Sequence, residues 1–123
     1  MSITLKQIWE SSTGLLQRFD LMPSPRKAWL KMNEELFEYA ESLFKLSTNK
    51  RNIPYKEDTA DELADVIITV LNVGYANGLT LDDIEKGLAR KCAKNDAKST
   101  KTHTAANGWI QKLEDVAYIE KGQ

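Results

Sequence analysis

From Val66 to Ala76 all but three positions are apolar, the exceptions being Thr69, Asn72 and Gly74. A helix of that composition is buried on most of its sides. One narrow polar strip nevertheless runs along it through Asp58, Glu62, Asp65, Thr69 and Asn72, at alternating spacings of four and three. Those side chains face one direction, and the 3.6-residue period excludes a strand. Carboxylates at the edge of a buried helix carry a desolvation cost of several kcal/mol per ion unless a cation or donor neutralises them. No histidine or arginine lies in the segment. A metal ion is the simplest partner, and an ion pair to Lys31 or Arg90 is the alternative.

The rest of the chain also reads as helical, because six glycines and three prolines are all that interrupt apolar residues spaced by three and four. No strand signal is read. A first helix is predicted from about Leu5 to Phe19, opened by Thr4 with Gln7 three residues on, and burying Ile8, Leu15 and Phe19. Ser24-Pro25 starts a second, reaching roughly Leu46, since serine caps free N–H groups and proline has none to leave unpaired. Ser47 to Tyr55, with Asn49, Asn52 and Pro54, is expected to be a loop. The third helix spans about Glu57 to Ala76 and stops at Asn77-Gly78. Thr80 and Asp83 open a fourth, extending to about Lys98. Ser99 to Gly108 is polar and expected to be mobile, and Trp109 to Ile119 is expected to form a short amphipathic segment that docks through its apolar side.

The second helix carries Glu34, Glu35 and Glu38, followed by Glu41. At about 100° per residue the first three share one flank, leaving Trp29, Met32, Leu36, Ala40 and Leu43 as the core-facing stripe. On the fourth helix the apolar line Leu81, Ile84, Leu88 continues into Lys91, Asn95 and Lys98, so a core stripe becomes a cationic one. Residues 34 to 65 hold nine acids and four bases, and residues 86 to 112 hold one acid and seven bases. The overall charge of −1 therefore conceals a segment of −5 and another of +6, a pairing suited to a metal cage beside an anion-binding wall. Solvated acids on an exposed face, and lysines extending their charges to water, are the bland readings.

At 123 residues the chain is expected to be a single all-α domain, with its motif-bearing core at 26–98 and a C-terminal tail at 99–123. Near-neutral charge gives no reason to expect nucleic acid as a partner. No apolar run approaches the roughly 20 residues needed to cross a bilayer, and the basic-then-apolar order of a signal peptide is missing. Cys92 is the only cysteine, so neither an internal disulfide nor a Cys-based zinc site can form. A cytoplasmic protein without membrane partners is expected.

Taken together, Glu34-Glu35-x-x-Glu38, then Glu62-x-x-Asp65, then Lys91-x-x-x-Asn95 resembles the MazG-like nucleotide pyrophosphohydrolases of the all-α NTP pyrophosphatase superfamily. The resemblance covers about residues 26 to 98. It implies a four-helix bundle-like MazG-type fold assembled as a helical oligomer, dimer or tetramer. It further implies Mg²⁺, with Mn²⁺ as substitute, held at Glu35, Glu38, Glu62 and Asp65, and hydrolysis of a nucleoside triphosphate to the monophosphate and pyrophosphate. Glu34 matches the further carboxylate that can reach another metal or the attacking water; Lys91 and Asn95 match phosphate-side positions. Many relatives have arginine where Lys98 stands, which removes a bidentate phosphate contact. Phosphoribosyl-ATP pyrophosphohydrolase shares the acidic motifs but usually has a histidine soon after the second, where this chain has Ile68 and Thr69.

The chemistry accounts for the residue types. Hard oxygen ligands hold Mg²⁺ at ~2.1 Å and leave positions for phosphate oxygens and water. Glu34 is placed to accept a proton from that water, and Lys91, with Lys98, to neutralise charge on departing pyrophosphate. A di-iron carboxylate bundle needs Glu-x-x-His pairs, whereas the only histidine, His103, lies in the tail. A non-catalytic helical oligomerisation module is the reading from another class. Trp9, Trp29, Tyr39 and Trp109 are each able to stack on a base, although Trp29 reads first as core. The apolar run of the third helix leaves Val66, Ile67, Val70, Val73 and Tyr75 partly exposed in a monomer, which is the residue-level reason to expect a homo-oligomer. Within one chain, the first helix and the Trp109–Ile119 segment are the alternative cover.

Overall fold

A computed structural model describes residues 1–19, 22, 24–48 and 55–97, together with the backbone of 53–54, 103–106 and 109–112. Four helices are formed: α1 (Leu5–Arg18), α2 (Pro25–Thr48), α3 (Ile53–Ala76) and α4 (Leu81–Asp96). Two short strands follow, β1 (His103–Ala106) and β2 (Trp109–Lys112). By its internal contacts the chain divides into two units, Met1–Asp83 and Ile84–Gln123, the division falling within α4.

The helix ends follow from local chemistry. Thr4 and Gln7 form a reciprocal capping box, the Gln7 amide donating to Thr4 Oγ1 at 3.1 Å and the Thr4 amide to Gln7 Oε1 at 2.8 Å. Ser24 Oγ accepts from the Lys27 amide at 3.1 Å, ahead of Pro25 in the first turn. Gly78 terminates α3 at φ 84°, with the Leu79 amide returning to the Gly74 carbonyl at 2.9 Å. Thr80 and Asp83 repeat the reciprocal cap at the start of α4. The expected loop is shorter than the sequence suggests, because α2 runs on to Thr48 and α3 begins at Ile53. Pro54 fits there because N–H groups in the first turn of a helix have no internal acceptor, so a residue lacking one breaks no bond. α4 ends at Asp96, two residues short of Lys98, which lies outside the described residues.

α2 and α3 form an antiparallel pair. Ser42, late in α2, meets Thr59, early in α3, where Thr59 Oγ1 lies 3.3 Å from the Ser42 carbonyl. Ala28 and Lys31, early in α2, share a small hollow with Thr69 and Asn72, late in α3. The seam between them consists of the covered or half-covered residues Ala28, Met32, Glu35, Tyr39, Ser42 and Leu46 on α2, and Tyr55, Thr59, Glu62, Val66, Thr69 and Val73 on α3. Both series step by four and three, the geometry of helices packed along their length. α1 packs against α3, with Trp9 meeting Tyr75 edge to face at 5.8 Å between ring centres.

Two expected core stripes are therefore displaced. Trp29, Leu36, Ala40 and Leu43 are exposed, and only Met32 of the expected α2 stripe is half-buried, because α2 is rotated so that its Ala28–Glu35–Ser42 line faces α3. On α1, Leu15 and Phe19 are exposed and Ile8 half-buried, because the Trp9–Tyr75 contact turns Trp9, Thr13 and Leu16 inward. On α3, Val66 is buried and Val73 and Tyr75 are half-covered, while Ile67 and Val70 remain exposed. Among the described residues only Ala28, Val66 and Leu71 are buried apolar side chains.

The all-α reading holds for the four helices, and the tail departs from it. β1 and β2 pair antiparallel, His103 opposite Lys112 and Ala106 opposite Trp109. The residues between the strands are Asn107-Gly108, a strong two-residue hairpin signal that carries no helical periodicity. The expected amphipathic segment thus begins as a strand, and its remainder, 113–119, lies outside the described residues.

Gly78→Ala should lower stability by about 1–2 kcal/mol, because a Cβ is strained at that positive φ while no neighbouring atom crowds the position. Urea unfolding should show a reduced midpoint with unchanged slope. An unaltered midpoint would contradict the assignment of strain to the backbone.

Candidate metal centre

The α2–α3 seam is polar at its middle. Thr59 and Thr69 are buried, and each donates its hydroxyl to a carbonyl of its own helix: Thr59 to Tyr55 at 2.6 Å, and Thr69 to Asp65 at 2.9 Å. These hydroxyls need nothing from across the seam. The carboxylates differ, since ionised oxygens only accept and the surrounding helix backbone has no free N–H to donate.

Glu35, Glu62 and Asp65 each place a carboxylate oxygen within 4.8 Å of the other two. Glu35 has only 9% of its side chain exposed, Glu62 is half-buried, and Asp65 reaches the surface. The Glu35 Oε2 and Glu62 Oε2 atoms are buried with no hydrogen-bond partner. Lys31 takes the other oxygen of Glu35, Nζ to Oε1 at 3.1 Å, and lies 3.5 Å from Glu34 Oε2. Lys31 thus pairs with acids of its own helix and not with the α3 carboxylates for which it was the alternative partner. Within the first unit, no lysine or arginine among the described residues makes an ion pair with Glu62 or Asp65.

Glu38 stands one turn beyond Glu34 on an exposed flank of α2. The negative charge of Glu35 pushes the Glu38 carboxyl above its ordinary range, and a hydrogen bond shared with Glu35 acts the same way. Partial burial and the charges of Glu62 and Glu34 add to the effect. Lys31 is held above the usual lysine value by its hydrogen bond to Glu35 and by the charges of Glu34 and Glu35. Three carboxylates from two helices thus converge, with the exposed Lys31 the cation beside Glu35. A cleft of about 270 Å³ opens beside Glu62 and is lined also by Asp58, Asp61 and Ser42.

A hard divalent cation fits this donor set: oxygen ligands only, an excess of negative charge, and two buried oxygens still lacking a partner. Of the expected ligands, Glu35, Glu62 and Asp65 are brought together, while Glu38 is exposed on α2 and senses the charge of Glu35. Glu34 is exposed and paired with Lys31. Lys91 and Asn95 are exposed on the part of α4 that belongs to the second unit, and Lys98 lies outside the described residues. The sequence reading placed Asn72 on the polar strip but gave it no role; its Oδ1 is a third buried atom without a partner.

Comparisons with protein-family models, with curated proteins and with solved structures found no match to this chain.

In a metal-free, chelated solution, a raised native pKa means that the folded chain binds more protons than the unfolded one between the two pKa values. Glu38 therefore subtracts stability as pH climbs through that window. Glu38→Gln should match the wild type at about pH 3, where both forms are neutral, and exceed it at about pH 7. Denaturant midpoints across that range check this, and a variant weaker than the wild type at neutral pH would contradict it.

Proposed function

We propose that this chain is a Mg²⁺-dependent nucleoside triphosphate pyrophosphohydrolase similar to the MazG-like enzymes, acting in the cytoplasm on the nucleotide pool. The observation that carries the reading is the convergence of two separate acidic motifs into one group of carboxylates with two buried oxygens unpaired. Glu35, Glu38, Glu62 and Asp65 would hold Mg²⁺, or Mn²⁺ in its place. When bound, the cation supplies charge to polarise a phosphoryl group and acidify a water.

The chain's own residues do the rest. Glu34, exposed beside the centre and held by Lys31, accepts the proton of the attacking water. Lys31 keeps the acidic group from being wholly anionic before substrate arrives. From the resemblance alone, Lys91, Asn95 and Lys98 would be the phosphate-side residues, Lys91 with the role of neutralising the departing pyrophosphate.

The second half of the proposal is self-association. With the seam lines of α2 and α3 turned toward each other, about 100° per residue places Trp29, Leu36 and Leu43 on the same side of the pair as Leu63, Ile67 and Val70. Glu38 and Asp65 fall on the other side. All six apolar side chains are between two-fifths and about half exposed. Covering them against a second copy, at ~1.5–3 kcal/mol for each full burial, is ample to hold a dimer, whereas pairing through the acidic side would oppose like charges. The same apolar face would suit a non-catalytic helical oligomerisation module, so catalysis has to be tested separately.

Incubation with the eight common ribo- and deoxynucleoside triphosphates should release pyrophosphate and the monophosphate in a Mg²⁺-dependent way. Asp65→Asn should abolish turnover and keep the helical circular dichroism, and Lys91→Ala should lower kcat/KM more than tenfold, at least ~1.4 kcal/mol. Orthophosphate as product, or full turnover in excess chelator, would refute the reaction. Light scattering should give two or four times 13.9 kDa, with Leu36→Glu shifting the mass toward 13.9 kDa. A wild-type mass near 13.9 kDa would refute the oligomer.

A further inference from the structure

Lys6 with Glu10, at 3.9 Å, and Lys45 with Glu41, at 3.5 Å, join residues four apart on exposed helix faces, each side chain more than half exposed. Pairs of that kind support their own helix weakly and are screened by water. The pair between Lys31 and Glu35 has the same spacing and another character. Its Nζ–Oε1 distance is 3.1 Å, and the glutamate it holds is 9% exposed, where Glu10 and Glu41 are 62% and 60%. Lysine precedes the acid, which is the less favourable order along a helix, so support of α2 accounts for little of it.

The two oxygens of a carboxylate turn together about one bond. In Glu35, Oε1 lies against a lysine that is 56% exposed, whereas Oε2 is buried and has no partner. Glu62 on α3 likewise has a buried, unpaired Oε2, and Glu35, Glu62 and Asp65 each offer an oxygen within 4.8 Å of the other two. Like charges at that range repel, and a long, flexible side chain relieves the repulsion by turning away toward water. The bond to Lys31 opposes that turn from outside the seam. Lys31 Nζ also lies 3.5 Å from Glu34 Oε2, so one ammonium ties the exposed flank of α2 to the buried carboxylate.

A carboxylate that ligates a cation through one oxygen is commonly held by a donor on the other, and losing such an outer partner lowers metal affinity roughly 10- to 100-fold. The charge of the ammonium acts in the opposite sense, by repelling the cation. Water screens that repulsion, because the lysine side chain is more than half exposed, but it does not screen the orientation of a carboxylate that is nine-tenths buried. The donor bond is therefore the larger effect.

We propose that Lys31 is a positioning residue for the acidic centre, holding Oε1 of Glu35 so that Oε2 is presented, together with Glu62 and Asp65, to a divalent cation. This rests on reading the acidic group as a cation site, and it adds a lysine that the two acidic motifs do not contain.

Isothermal titration of Mn²⁺ into this chain, without nucleotide, tests the role with two neutral replacements. Lys31→Gln keeps a donor for Oε1 and Lys31→Met has none, so both lose the same charge and only the hydrogen bond differs. Lys31→Met should bind Mn²⁺ about tenfold more weakly than Lys31→Gln. Urea unfolding in chelator checks that each variant is folded, and Lys31→Ala takes the place of Lys31→Met if the latter is not. Equal affinity of the two neutral variants overturns the assignment, including the case in which both bind more tightly than the wild type through loss of a repelling charge. A wild-type chain that binds neither Mn²⁺ nor Mg²⁺ overturns the cation site and the role of Lys31 together. Mn²⁺ binding without hydrolysis of any triphosphate refutes the reaction alone, and the comparison of variants still decides Lys31, because the titration needs no nucleotide.

Discussion

Two carboxylates from different helices share the middle of the seam along which α2 and α3 pack, and the arrangement of the first unit turns on how that charge is tolerated. Glu35 is covered on nearly every side, Glu62 is half-covered, and each keeps one oxygen without a partner. Hydrophobic packing of an ordinary helix pair would fill these positions with leucine or valine. Here the seam sets Glu35 and Glu62 among Ala28, Met32, Ser42, Thr59, Val66 and Thr69, and the threonine hydroxyls are satisfied by their own helices. Only the acids face one another with a deficit of positive charge, which Lys31 meets on one oxygen of Glu35. A protein that places like charges in a seam sacrifices stability there, and such sites are where function is concentrated.

The same constraint explains where the apolar residues went. With the seam occupied by polar groups, the large side chains of α2 lie outside it: Phe37 is 77% exposed and Phe44 71%. Trp29, Leu36 and Leu43 lie between these and the seam, next to the uncovered Leu63, Ile67 and Val70 of α3. The helix pair thus carries acids within its seam and apolar side chains on one outer face. That inversion links the two halves of the proposed function physically, because the stability absent from a charged seam has to come from burial elsewhere.

Several features followed from residue order alone, for reasons that are local. Thr4 with Gln7, Ser24 before Pro25, Gly78 after Asn77, and Thr80 with Asp83 mark helix ends through bonds to backbone groups three or four residues away. The spacing of Glu62 and Asp65 by three, and of Glu35 and Glu38 by three, places each pair on one helix flank without reference to any partner. The four helices and the two acidic motifs needed nothing more. The hairpin from His103 to Lys112 is signalled locally too, by Asn107-Gly108, a turn pair to which helical periodicity is blind.

The rotation of each helix about its axis could not be obtained that way. The stripe Trp29–Leu36–Leu43 has the pattern of a core face, yet α2 turns it outward and buries the line through Ala28 and Glu35. Periodicity identifies a helix with two candidate faces but cannot choose between them, since that choice is made by what lies opposite. Here α3 offers Thr59, Glu62, Val66 and Thr69 across the seam, and α1 claims the side carrying Leu71 and Tyr75. Residue order therefore determined that the chain forms helices bearing paired carboxylates. The meeting of Glu35 with Glu62 and Asp65, and the burial of Asn72 Oδ1 without a partner, arose only in the packed molecule, because desolvation and charge repulsion exist between groups that the chain separates by tens of residues and the fold brings within ångströms.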